Sequence, residues 1–147
     1  MSATRLRCYA FCVHTTNTPN TFIVVAPDST AEAGVVPKEA ASPSIARRTY
    51  DLIAAAPYVH TSDDVIFTVW ADRQEMPKAL RAAAREAFFS KGQPCLRASD
   101  LTKKYGWGVH HDDKGRVALV AVGSAEYEAF AARDDVTVVK AMRSKKQ

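Results

Sequence analysis

The sequence has no long hydrophobic run, few cysteines and few glycines. None of its apolar stretches approaches the roughly 20 residues that a membrane helix requires, and no small-residue cleavage site follows the interrupted apolar patch near its start. We therefore expect a cytoplasmic protein with no membrane partner. The three cysteines, Cys8, Cys12 and Cys95, cannot all pair within one chain, so a disulfide framework is not expected.

Metal and cofactor signatures are also missing. Cys8 and Cys12 have a spacing that suits a metal ion, but a convincing site needs a second compact pair of ligands. His110 and His111 are adjacent, and neighbouring residues of a strand point to opposite sides. Neither a P-loop nor a dinucleotide-binding fingerprint occurs. The sequence therefore predicts no metal site and no cofactor.

What the sequence does contain is enough material for one folded domain. With 147 residues, 47% of them hydrophobic and 24% charged, the chain has a globular composition. Its formal net charge of +4 is a mild excess that favours anionic partners. We divide the chain into an N-terminal extension (1–13) that need not be ordered, a single domain (14–142) and a basic tail (143–147).

The first half of the domain alternates strand and helix patterns. A β-branched and aromatic run predicts a strand over residues 21–26 that is covered on both sides, followed by a surface loop over 27–42. Ser42 and Pro43 are the residue types of a helix N-cap and a first helical position, so a helix is expected to start there. The run DVIFTVW, residues 64–70, predicts the second strand.

A second helix is predicted from Pro77 to about Ser90, and a short strand over 94–99 after it. The apolar residues of this helix recur at helical spacing and are expected to face the core: Leu80, Ala84, Ala87 and Phe88. Three basic residues share the other side, where we expect solvent: Lys78, Arg81 and Arg85.

The clearest local signal is a hairpin over residues 106–122. Its turn, 112–115, suits a type I turn with Gly115 at positive φ in a bulge. A short helix capped by Ser124 and a strand over 136–142 follow. The whole order predicts an α+β fold: a single domain with a mixed, mostly antiparallel sheet and two to three helices packed on one of its faces.

Several runs resemble a family of small bacterial proteins of unknown function. They are HTTNTPNTFIVVAPD, PYVHTSDDVIF, the long run containing KGQPCLRAS, YGWG and HH, and the closing KAMRSK. The resemblance extends from about residue 14 to the C-terminus. It implies that residues 1–13 precede the family's common region, and it brings no activity, cofactor or catalytic residue.

The segment 88–115 carries the residues of our leading functional hypothesis. Arg97, Lys103 and Lys104 supply positive charge, and glycine backbone N–H groups can approach an anion closely. Tyr105 and Trp107 stand two apart at the start of a strand, where they could stack on a flat ring. We interpret the protein as a non-enzymatic module that binds an anionic ligand, either a nucleotide-like molecule or a nucleic-acid backbone.

Two alternatives come from other classes of protein. In the first, a small hydrolase or transferase uses Cys95 as its nucleophile and His60 or His110 as its base. No known nucleophile motif surrounds Cys95. In the second, the protein serves in interaction or assembly and has neither kind of site. The surroundings of Cys95 discriminate between them, because a nucleophile needs a base within hydrogen-bond reach.

Overall fold

The computed structural model describes residues 14–144. Regular secondary structure occurs in the following order: β1 (Thr21–Val24), α1 (Ile45–Ala55), α2 (Ser62–Arg73), α3 (Lys78–Phe88), a 3-10 turn (Leu96–Ala98), α4 (Asp100–Lys103), β2 (Trp107–His111), β3 (Val117–Ala121), α5 (Ala125–Ala132) and β4 (Thr137–Lys140). The predictions for residues 1–13, including Cys8 and Cys12, lie outside this range, as does the end of the basic tail.

One sheet of four strands forms the centre of the fold, in the order β3-β2-β1-β4. β1 and β3 both pair antiparallel with β2, whereas β4 pairs parallel with β1. The prediction of an α+β domain with a mixed, mostly antiparallel sheet is therefore confirmed. Five helices accompany the sheet over residues 14–144, slightly more than the two to three expected.

The predicted hairpin is present as β2 and β3. Gly115 has a φ of 79° and donates its backbone N–H to the carbonyl of Asp112 at 3.0 Å. Asp112 donates its own N–H to the carbonyl of Arg116 at 2.9 Å. This is the turn with a left-handed glycine that the sequence predicts, and the prediction is confirmed.

α2 corrects the prediction of a strand over residues 64–70. Thr61 caps the helix: its hydroxyl accepts from the N–H of Asp64, and the Asp64 carboxylate accepts from the N–H of Thr61. This reciprocal pair satisfies two helix donors that would otherwise be unbonded. The residues after it are apolar on every side, which is typical of a helix buried all round as well as of a buried strand.

The HTTN segment is fastened to the start of α2. The carboxylate of Asp63, only 6% exposed, accepts from the hydroxyl of Thr15 at 2.6 Å. It also accepts from both the N–H and the hydroxyl of Thr16, at 2.7 and 2.6 Å. The amide oxygen of Asn17 accepts from the N–H of Asp63 at 2.8 Å. A buried carboxylate with this many donors is a structural tie.

Helices cover both faces of the sheet, which corrects the expectation of one covered face. On one face Ile23 and Val109 pack with Ile53 of α1 and Val65 of α2. On the other face Phe22 packs edge-to-face on Tyr127 of α5, with ring centroids 5.1 Å apart. Alternate residues of a strand point to opposite faces, so β1 is buried on both sides as its sequence predicts.

Two further details of the secondary structure differ from the prediction: the start of α1 and the segment 94–99. The N-cap of α1 is Ser44, whose hydroxyl accepts from the N–H of Arg47, and not Ser42. Residues 94–99 do not form a strand, because Cys95 caps the 3-10 turn and Ser99 caps α4. In contrast, Ser124 caps α5 as predicted, accepting from the N–H of Tyr127.

Within residues 14–144, no helix is long and apolar enough to cross a membrane.

Candidate functional site

The apolar face of α3 borders an open groove. None of its residues is fully buried, and Leu80 is 59% exposed. Ala84 and Phe88 are half-buried beside a small aromatic cluster, whereas Ala87 is exposed. Three of these residues (Ala84, Ala87 and Phe88) line the groove. The predicted inward packing therefore holds only in part, because much of this face meets open space.

The groove has a volume of about 780 Å³ and lies between α2, α3, the start of α1 and residues 91–99. α2 and α3 run antiparallel, since Arg81 pairs with Asp72 and Arg85 pairs with Asp64, both at 2.9 Å. α2 contributes groove residues over eight residue steps, and at 1.5 Å per residue this corresponds to a length of about 12 Å. The groove is therefore elongated.

Those two ion pairs correct the prediction of a solvated basic stripe on α3. Arg81 also donates twice to the carbonyl of Met76. The guanidinium of Arg85 lies over the rings of Phe67 and Phe89, 5.9 and 5.7 Å from their centroids. Lys78 is exposed as expected. Two of the three basic residues thus fasten α3 to α2 and are not available for an anionic ligand.

Two other cations border the groove. Arg73 is the last residue of α2, and Lys91 follows the end of α3. Because the two helices are antiparallel, these side chains lie toward opposite ends of the groove. Within residues 14–144, neither side chain has an ion-pair or hydrogen-bond partner. The groove therefore combines apolar walls with positive charge that no carboxylate of the described chain neutralises.

Cys95 lies in the wall of this groove, but no histidine lines the groove with it. Its sulfur accepts from the N–H of Arg97 at 3.4 Å, as the cap of the 3-10 turn. His60 borders a separate shallow pocket, and His110 faces α5 across the sheet. Among the described residues no hydrogen bond joins Cys95 to either histidine. The geometry does not bring a base to the proposed nucleophile.

His110 belongs to a packed cluster on the α5 face. Its Nδ1 lies 2.8 Å from the hydroxyl of Tyr58, and its ring stacks on Phe130 with centroids 4.0 Å apart. Burial, with a smaller effect from Arg133, lowers the pKa of His110. Burial likewise lowers the pKa of His111, which lies on the other face of β2. Both rings are neutral parts of the core at neutral pH.

The five residues of the leading hypothesis do not line the groove. Arg97 donates from Nε to the carbonyl of Lys140 at 2.6 Å and so supports the edge strand β4. Lys103 ends α4 and Lys104 is its C-cap. Neither lysine side chain has a partner among residues 14–144. Their role in ligand binding stays a prediction.

Tyr105 and Trp107 anchor the long loop that follows β1. The N–H of Val35 donates to the carbonyl of Tyr105 at 2.8 Å, and the indole N–H of Trp107 donates to the carbonyl of Val35 at 2.9 Å. A Cβ on Gly34 would lie 2.7 Å from the Trp107 ring. Gly106 has a φ of +79°, and a Cβ added there would clash with the loop carbonyl of Ala33. The YGWG run therefore allows close packing of the loop, and ligand stacking stays a prediction.

The groove residues that the sequence reasoning missed are Trp70, Arg73 and Lys91. The sequence predicts Trp70 in a strand, whereas it lies in α2 with its ring 4.8 Å from that of Phe88 across the α2–α3 junction. A usable signal was present: two of the four residues on the apolar face of α3 are alanines, which are too small to fill the space beside them. As for metals, no three His, Cys, Asp or Glu side chains of residues 14–144 group closely enough to hold an ion, and the predicted absence of a metal stays a prediction.

The fold and the groove define a single-domain α+β protein with an elongated apolar groove and a cation toward each end. The chain belongs to a family of unknown function, DUF6157, which matches residues 13–147. The predicted membership of a family of unknown function is therefore confirmed, and the matched region begins next to the HTTN segment as expected. The bacterial and cytoplasmic assignments stay predictions. Neither the search of curated proteins nor the search of solved structures found a match to the chain.

Proposed function

We propose that this protein is a non-enzymatic binding module that holds a small organic anion in the groove between α2 and α3. The observation that carries the proposal is the apolar face of α3, which is only partly covered by protein. Small-molecule pockets in proteins are generally concave, mostly apolar, and about 300–1,000 Å³ in volume. The groove, at about 780 Å³, falls within that range.

Charge supports an anion as the occupant. Arg73 and Lys91 both border the groove and have no partner within residues 14–144. The protein as a whole carries a formal net charge of +4. A negatively charged ligand would therefore be attracted to this surface and would meet cations that are not already paired.

The other versions of the hypothesis have less support. Binding of a nucleic-acid backbone through Lys103 and Lys104 rests on their free side chains alone. Catalysis by Cys95 would require His60 or His110 to move to the groove, and each has its own surroundings elsewhere. Both versions become outcomes of the experiment below.

Two alanines of α3 make a matched test. Ala87 lines the groove, while Ala82 is exposed on a different side of the same helix. Both sites tolerate leucine as a helix former. We expect Ala87→Leu to fill part of the groove and weaken binding at least about tenfold, which corresponds to about 1.4 kcal/mol, while Ala82→Leu binds as the unchanged protein does.

The measurement is a thermal-shift screen of the full chain, because a ligand that binds only the folded state raises its melting temperature. The panel holds aliphatic and aromatic carboxylates, mononucleotides and a short oligonucleotide, and native mass spectrometry checks for retained ligand. Stabilisation by a small anion that Ala87→Leu abolishes supports the proposal. It is overturned if no small anion stabilises the protein and none is retained, or if both variants respond equally. Stabilisation by the oligonucleotide that the double variant Lys103→Ala and Lys104→Ala abolishes would instead support the nucleic-acid version, and turnover of a panel compound that Cys95→Ala abolishes would establish the enzyme.

A further inference from the structure

We infer that the natural ligand is an organic acid with one carboxylate on an extended apolar body, a class that includes medium-chain aliphatic acids. This inference rests on the proposed function and specifies which kind of anion the groove takes. Its basis is the shape of the groove, the nature of its walls, and the planar guanidinium toward one of its ends.

The walls call for an apolar body. Trp70 and Phe88 form an aromatic corner with their ring centroids 4.8 Å apart and their planes tilted by 40°. Ile66 of α2 on one side and the alanines of α3 on the other contribute partly exposed apolar surface to the walls. A body that fills this space removes apolar surface from water on both sides, which is the main favourable term for such a ligand.

The polar groups of the wall are few, and two of them are already occupied. Thr49 donates its hydroxyl to the carbonyl of Ile45 at 2.7 Å. Gln93 donates its amide to the carbonyl of Phe88 at 2.8 Å. A nucleotide would bury base edges and phosphates that need several converging donors and acceptors. Among residues 14–144 the groove does not offer such a set, so a nucleotide fits it poorly.

The cations fit a carboxylate head group. The planar guanidinium of Arg73 can pair with both oxygens of one carboxylate. Lys91 lies toward the other end, so the two cations do not converge on a single multiply charged phosphate. We therefore place the carboxylate at Arg73 and the apolar body along α2 toward Lys91.

The length of the groove predicts an optimum chain length. Octanoate, decanoate and dodecanoate bracket the groove length of about 12 Å. Each methylene that becomes buried should tighten binding about fourfold, and the gain should stop once the chain extends beyond the groove. Isothermal titration calorimetry of the full chain with each acid, kept below its micelle concentration, measures the series.

The head group is tested with decanol and with Arg73→Gln. Because Arg73 is exposed, the variant should weaken decanoate binding only about threefold to fivefold, less so at high salt. It should leave the affinity for decanol unchanged. Arg143→Gln is the matched control, since Arg143 is an exposed arginine that does not line the groove. Lys91→Gln should have a smaller effect than Arg73→Gln.

The outcomes separate this inference from the proposed function. Suppose that AMP binds, that Ala87→Leu weakens its binding, and that the aliphatic acids do not bind. The ligand class is then wrong, while the groove is still the site. If decanol binds as tightly as decanoate, or Arg73→Gln and Arg143→Gln behave alike, the carboxylate contact is wrong. If an acid binds but Ala87→Leu has no effect on it, the groove itself is wrong and the proposed function falls with it.

Discussion

Two neighbouring helices, α2 and α3, use apolar residues in opposite ways. α2 buries half of its twelve residues, and its apolar side chains reach the cores on both of its sides. α3 has one sharply defined apolar face and buries none of its eleven residues completely. A clean amphipathic pattern thus reports an apolar surface, and the rest of the fold decides whether protein or something else covers it.

The two helices also differ in how they are held to the rest of the fold, and α2 again has the more buried contacts. α2 is held at its start by the buried carboxylate of Asp63 and by a capping box. α3 is held by two arginines whose partners, Asp72 and Asp64, are partly exposed. Exposed ion pairs contribute little to stability, so α3 should be the more easily displaced of the two helices, as the wall of a ligand groove can be.

The largest effect should follow loss of the buried tie to α2. Asp63→Ala removes the acceptor of Thr15 and Thr16 and leaves buried donors unsatisfied, so we expect a loss of about 3 kcal/mol in the free energy of unfolding. Asp113→Ala, in the exposed hairpin turn, is the control and should change it by less than about 0.5 kcal/mol. Urea denaturation followed by circular dichroism measures both. Equal effects would show that the tie is not structural.

The comparison of the helices is tested most directly by truncating one side chain from each. Val65 of α2 is fully buried, and Val65→Ala should cost about 2 kcal/mol through lost burial and a cavity. Leu80 of α3 is 59% exposed, and Leu80→Ala should cost less than about 0.5 kcal/mol although it removes more atoms. The same denaturation experiment applies. A larger loss from Leu80→Ala would mean that the face of α3 is covered by protein.

A smaller effect should appear in the pH dependence of the free energy of unfolding. The sheet and the α2–α3 junction should lose stability in different pH ranges. Burial lowers the pKa of His110 and of His111 below 6.5, so the unfolded chain binds protons that the folded chain resists. Stability should be complete above about pH 6.5 and fall as the pH drops below it. Burial raises the pKa of Asp64, but hydrogen bonds from Thr61 and Arg85 outweigh burial and hold it below 3.8. The contribution of Asp64 should be lost only as the pH falls through that lowered value.

Denaturation curves at about pH 7.5, 5.5 and 3.0 resolve the two steps. Asp64→Asn should remove part of the loss of stability at the lowest pH. It should leave the loss at the intermediate pH, which belongs to the histidines. A profile that is flat between the two higher pH values would contradict the burial of the histidine rings. An upper step that vanishes in Asp64→Asn would contradict the assignment of the two groups.

Local signals in the sequence were sufficient wherever a few adjacent residues decide the structure. The turn at Gly115 needs only a residue that tolerates positive φ. The cap of α5 needs only Ser124, and β1 needs only a short β-branched and aromatic run covered on both sides.

Only the tertiary structure decided the rest, because distant parts of the chain compete for the same residues. The run after Asp64 is equally apolar as a strand or as a helix. The cap at Thr61 is a local signal for the helix, and burial on both sides agrees with it. Trp107 is paired with a loop some 70 residues away, which no local pattern contains. The groove arises in the same way. The sequence of α3 determined that one of its faces is apolar, and the separation of α3 from its neighbours determined that this face would be left open beside Arg73 and Lys91.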